Sequence, residues 1–218
     1  MNKAEIRSLA REISELDQVD ASDASLDMYI KDGYDRIMSL ERRWPWLETS
    51  GTLTTVVDQR DYALSLIGAG NLREITSIVN PAQHARLQLI SYDQGEDVYL
   101  TVGADSNGEP RFYSTWASNL QLWPKPDSAY TLLVRGYREP SDWHDFDGVE
   151  VDADPRLHRP LVYFTVSHLY QLQEDTEMAA YYMSTFEQAV KLAHRDITRV
   201  PSHVPLVLSG GDPRYWDA

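Results

Sequence analysis

The stretch GEPRFYSTWASNLQLWPKPDSAYTLLVRGYREP, residues 108–140, decides how the rest of the chain is read. It holds Phe112, Tyr113, Trp116, Trp123, Tyr130 and Tyr137, with hardly a side chain suited to catalysis among them. RFYSTWA, NLQLWPK and YTLLVRGYR carry the aromatic and β-branched residues that fit a half-buried pleated surface. SN and a PD-type turn separate them, so the stretch predicts three strands. Pro124 and Pro126 belong at a strand end or a sheet edge, because neither donates a ladder hydrogen bond. Successive side chains point to opposite faces, so about half of the aromatics enter a core and the others face outward.

Strand texture extends back to residue 51. GTLTTVV and RDYALSL read as a hairpin turning at DQ, NLREITSIVN as a further strand and RLQLI as a shorter one. SYDQGEDVYL suits one or two helical turns, with Gly95 weakening that reading. Both flanks are helical. Ile6, Leu9, Ile13 and Leu16 make an apolar stripe over residues 3–16. After QVDASDAS, a second stripe of Leu26, Ile30, Gly33, Ile37, Leu40 and Trp44 predicts a helix over about 25–43, stopped by Pro45. Downstream, Asp154 and Pro155 supply an N-cap and a first helical position. The helix they open runs to about Gln173, with Leu161, Phe164 or Thr165, His168 and Leu172 facing inward. QEDTE breaks the chain, with Asp175 or Thr176 as cap. A last helix follows to about Thr198 along Ala179, Tyr182, Phe186, Ala189 or Val190, Ala193 and Ile197.

The fold class is therefore α+β. Residues 1–50 and 155–199 form a helical bundle, 51–140 an inserted antiparallel β domain, 141–154 an acidic loop and 200–218 an extended tail. Prolines and glycines keep that tail out of regular structure. Yet Val204, Leu206, Val207, Leu208, Tyr215 and Trp216 make it more apolar than an ordinary disordered end.

The composition, 42% hydrophobic and 25% charged over 218 residues, is that of a soluble globular protein. Absence of cysteine excludes disulfides, thiolate metal sites and a cysteine nucleophile, and fits a chain made in a reducing cytoplasm. MNKAEIRSLAREISEL has no apolar core of a signal peptide, and no apolar run is long enough to span a bilayer. Net charge is −14, with 34 acids, 20 bases and only four lysines. That balance argues against a protein that grips nucleic acid, though not against one that lets DNA slide past it.

No catalytic or metal-binding pattern stands out. Asp142, Asp145, Asp147, Glu150, Asp152 and Asp154 invite comparison with a calcium loop. Trp143 would then occupy the first ligand position and Asp154 the twelfth, so a solvated loop is the better reading. The six histidines form no close ligand pair, and His168 on its apolar stripe reads as a core histidine. There is no nucleophile elbow and no phosphate-cradling loop. The expectation is no enzyme, no cofactor and no metal. Outward aromatics remain, with Trp116, Trp123 and Tyr137 the candidates for a subunit or tail contact. The alternative is a carbohydrate-binding or host-recognition module that uses them as a platform.

The pattern as a whole resembles the head-to-tail adaptor proteins of tailed bacteriophages. Trp44, Pro45 and Trp46 close the second helix, followed by QRDYAL (59–64) and REITSIV (73–79). GEPRFY, NLQLWPKPD and YTLLVRGYREP then follow the family's order of G-x-P, L-x-L-x-P-x-P-D and Y-x-L-x-L-x-Y. LHRPLVY (157–163) and the EDTEMAAYY…FEQAV run (174–190) match its ending. The resemblance covers about residues 25–195. It implies a structural virion protein at the capsid–tail junction, made in the host cytoplasm and joining the portal protein to the tail. It further implies a ring, by analogy a dodecamer, that meets a downstream tail or nozzle protein. Double-stranded DNA would pass through without specific binding, and no membrane would be involved. The tail residues Val204, Leu206, Val207, Leu208, Tyr215 and Trp216 would reach the portal.

Overall fold

The computed structural model describes residues 1–67, 71–102, 107–142, 146 and 148–198. The tail residues Val204 to Trp216, and Asp145 and Asp147 of the acidic loop, lie outside them. The fold is α+β, with helices at both ends of the described chain and a curled, mostly antiparallel sheet between.

Helix α1 (Lys3–Ser14) starts with a capping box. Asn2 Oδ1 accepts from Glu5 N at 2.9 Å, and Glu5 Oε2 accepts from Asn2 N at 3.1 Å. Ser22 caps α2 (Asp23–Leu40), accepting from Ser25 N at 3.2 Å. Arg7 lies 3.3 Å from Asp23 and 3.5 Å from Asp27, which ties the two helices near their joint. The second helix ends earlier than its stripe suggests. Chain past Leu40 is extended, and a short 3-10 turn (Pro45–Leu47) carries Trp44 and Leu47 back into the helical core.

Asp154 caps α4 (Pro155–Leu172) as expected, accepting from Arg156 N at 3.0 Å. Asp175 opens α5 (Thr176–Thr198), accepting from Met178 N at 3.0 Å. The four helices are not equivalent. α4 packs against α1, α2 and α5 together, and its buried residues therefore wrap most of its circumference. Gly33 lets α2 approach it; a Cβ there would lie 2.9 Å from the Phe164 ring. The expectation that Leu40 and Leu172 face inward is corrected, since each is the last residue of its helix and more than half exposed. His168 sits half-buried, stacked on Tyr29 at 5.0 Å and edge-on to Phe164 at 4.7 Å.

The seven-stranded sheet comprises β1 (Glu48–Thr54), β2 (Asp61–Ala63), β3 (Leu72–Asn80), β4 (Ala85–Leu89), β6 (Phe112–Trp116), β7 (Asn119–Trp123) and β9 (Thr131–Arg138). Their spatial order is β1-β9-β3-β4-β6-β7-β2, and short strands β5 (Asn107–Gly108) and β8 (Lys125–Pro126) pair separately. The expected β1–β2 hairpin does not form. All seven residues of β1 pair with β9, whereas β2 pairs with β7 at the opposite edge. The chain crosses between edges through a loop closed by Tyr62, whose hydroxyl accepts from Val56 N at 3.0 Å and donates to Gln59 O at 2.8 Å. β4 and β6 run parallel, a departure from a wholly antiparallel sheet. They can do so because a helix, α3 (Tyr92–Val102), carries the chain between them. β6 and β7 are joined through Ala117 and Ser118, both with positive φ, which is the primed turn that matches strand twist. Curling lets Leu53, Leu132 and Val134 from one end share a core with Tyr62, Leu120 and Leu122 from the other.

α3 covers the outer face of the β6–β7 pair at its Gly95, whose Cβ position would lie 2.5 Å from the Trp123 ring. Glycine there explains why a sequence that disfavours helix holds three turns: any larger residue would collide with the indole. Trp123 is buried, and its Nε1 donates to Ser114 Oγ at 3.1 Å. Arg60 lies over the indole at 4.6 Å and pairs with Glu96 of α3 at 3.3 Å.

Three predictions rest on this packing. Trp123→Ala is expected to cost about 3–5 kcal/mol in a thermal or urea melt. Gly95→Ala is expected to destabilise by about 1–3 kcal/mol although alanine is the better helix former, and to lose that cost once Trp123 is already Leu. An additive double variant would contradict the contact. The third concerns pH. Burial lowers the pKa of His158 and His168 from the usual 6.5, helped at His158 by the Met1 amine and at His168 by Arg36. The unfolded chain takes up protons on both as pH falls through 6.5 while the folded chain resists, so stability holds above about pH 7 and declines below it. His158→Gln is expected to flatten part of that decline. A melt series showing no loss between pH 7 and 5 would contradict it.

Candidate assembly interface

The three aromatics expected at contacts occupy different environments. Trp116 is 60% exposed at the end of β6, its ring 5.1 Å from that of Tyr92 on α3. Trp123 lies opposite Phe112, at the other end of the β6–β7 pair, and is buried within its own chain, so it is not available at the surface of this fold. Tyr137 is half-buried against the helical core, and its hydroxyl donates to Glu48 Oε1 at 3.4 Å. The three therefore form no common platform.

A broader surface is formed by the outer face of β1, β9 and β3. Register places Ser50 opposite Arg135 and Arg135 opposite Ser77, with Thr52, Leu133 and Val79 in the next row and Thr54 with Thr131 beyond. The alternate residues Leu53, Leu132, Val134 and Ile78 point into the core. Sequence reading did not single out this face, although the alternation of Ser50, Thr52 and Thr54 with buried neighbours was its signal. Arg135 is exposed, with no carboxylate partner among the described residues. It lies beside Tyr137, Glu48 and Thr76 in a shallow polar trough. Below them Arg43 pairs with Glu74, and the guanidinium bonds hold that carboxyl below its usual pKa. This arrangement suits docking of a polar partner surface with an acidic group placed over Arg135.

The acidic segment is partly structural. Asp152 accepts from Arg138 Nη1 and Nη2 at 2.6 and 2.7 Å, from Ser141 N at 3.0 Å and from Ser141 Oγ at 2.9 Å. Burial alone would raise this carboxyl, but these bonds outweigh it and lower its pKa. Among the described residues no three acids, histidines or cysteines stand together as a cation site, and no helix is long and apolar enough to cross a membrane. A groove between α2 and α5 completes the set, with Leu40 on its rim and Phe186, Val190 and His194 along it.

These are candidate docking surfaces on a two-core frame, without an assembled reaction centre among the described residues. No curated protein matches the chain. The profile of the SU10 adaptor protein family matches residues 1–206, so the chain belongs to that family of bacteriophage structural adaptors, which is not a family of enzymes.

Proposed function

We propose that this protein joins the portal vertex of the capsid to the tail as an oligomeric ring that surrounds part of the DNA channel. The family match over residues 1–206, which spans every described element, carries this reading. Within it the helices of 1–50 and 155–199 form the body of each subunit, and the β unit of 51–140 supplies lateral or tailward contacts through Trp116 and the Arg135 face. The acidic loop of 141–154 orders the joint between them. The tail of 200–218 reaches the portal through Val204, Leu206, Val207, Leu208, Tyr215 and Trp216. The acidic balance supports a channel that repels passing phosphates instead of holding them.

Native mass spectrometry of the chain mixed with the portal protein of the same virus tests the joining role. The expected result is a complex with many copies of each subunit. A chain ending at residue 199 is expected to remain a folded monomer and to attach at least about tenfold more weakly, since several apolar side chains each contribute about 1.5–3 kcal/mol when fully buried. Equal attachment would refute the tail assignment alone. Failure of the full chain to bind an intact portal would refute the joining role.

A further inference from the structure

The groove between α2 and α5 has an occupant within reach. Phe186 and Val190 form a buried floor, Leu40 rises beside them 55% exposed, and the hollow amounts to about 330 Å³. One end is closed by the Arg36–Glu187 pair at 3.0 Å. At the other end, Lys191 and His194 are shared with a second hollow that continues past Leu192, 53% exposed, to Thr198. Residues 190, 194 and 198 are spaced four apart, so the helix ends on the face that carries the groove. The two hollows make one track from the last residue of α5 back to Leu40.

The chain that leaves Thr198 is suited to this track. VPSHVPLVLS, residues 200–209, holds no aspartate, glutamate, lysine or arginine, and Pro201 and Pro205 exclude a continuing helix. In an extended strand, Val204, Leu206 and Leu208 fall on one face. Residues 199–203 span at most about 17 Å when extended, and Val190 lies about 12 Å back along the helix axis from Thr198. The link is therefore long enough to double back and short enough to hold the apolar segment at an effective concentration on the order of millimolar. A second copy in dilute solution does not match that concentration.

We infer that residues 204–208 dock in the α2–α5 groove of their own chain when the protein is free. Leu206 and Leu208 cover Val190 and Leu40, and the exposed Leu192 is covered by the returning link. The inference stands on the groove and the tail's reach, and it does not depend on what the tail binds after assembly. If the tail also serves the portal, the groove is its resting place beforehand.

Absence of cysteine makes the test clean. The double variant Leu40→Cys with Leu206→Cys is oxidised in the full-length chain at a concentration where size exclusion shows a monomer. Its comparison is Val19→Cys with Leu206→Cys. Val19 precedes α2, so its thiol lies beyond the opposite end of an 18-residue helix, about 27 Å from Leu40. Leu40 and Val19 are 55% and 90% exposed, so neither replacement empties the core, and a melt confirms that each variant folds. The expected result is an intrachain disulfide in the first pair, formed at least about tenfold faster than in the second. Equal rates, no disulfide, or only disulfides between chains would overturn the inference. The last outcome would assign the groove to the tail of a second copy.

Discussion

Arg138 and Asp152 hold together two parts that otherwise have separate interiors. The helical core and the sheet core are distinct clusters, so apolar burial alone fixes the inside of each but only weakly their relative setting. Arg138 is the last residue of β9, and Asp152 lies three residues before the proline that opens α4. Their two-pronged pairing, with Ser141 filling the remaining carboxylate positions, sets where the chain leaves the sheet and enters the bundle. Breaking such a part-buried pair leaves a charge without its partner, which costs far more than losing a surface ion pair. Arg43 with Glu74, and Tyr137 resting against the helices, repeat the link at the other side of the same joint.

The remaining fold depends on how α4 and α3 are used. α4 is covered on nearly all sides, so its position is fixed by three partners and it fixes them in turn. α3 has a different role. It gives up a side chain at Gly95 so that Trp123 can lie under its backbone, and it places Tyr92 beside Trp116 at the surface. One short helix thus decides that, of two tryptophans on the same face of one hairpin, the first is exposed and the second buried.

Much of the secondary structure was legible in the sequence, while the pairing and the site were not. Asp154–Pro155 marked the start of α4 because capping is a local event, and the stripe running from Ala179 through Phe186 and Ala193 to Ile197 marked α5 for the same kind of reason. The β1–β2 hairpin was misread because two adjacent β-like runs look alike whether they pair with each other or with distant strands. Seven residues of β1 found a longer partner in β9. Alternation failed to sort the aromatics, since α3 covers the outer face of β7 and four consecutive residues of that strand are buried. Asp152 was hidden among other acids in a run that reads as solvated, and only the fold brings Arg138 to it. Leu40 and Leu172 were placed inward because periodicity does not announce where a partner helix stops.

A subunit that docks its own tail faces a constraint on affinity. If the tail spends nine-tenths of its time in the groove, any other partner sees only the free tenth. Its apparent affinity then falls about tenfold, or about 1.4 kcal/mol. That loss would be serious for a single contact. In the proposed ring it is useful, because an isolated subunit binds weakly, whereas many tails held opposite many sites bind with the gain of linkage between them. The same apolar residues then work twice without remaining exposed in between. A track of modest area, bounded by one salt bridge and ending at Thr198, suits a contact that must be reversible. A deeper groove would hold the tail too firmly to release it, and a flatter one would leave Leu40, Leu192 and the tail to associate between free chains.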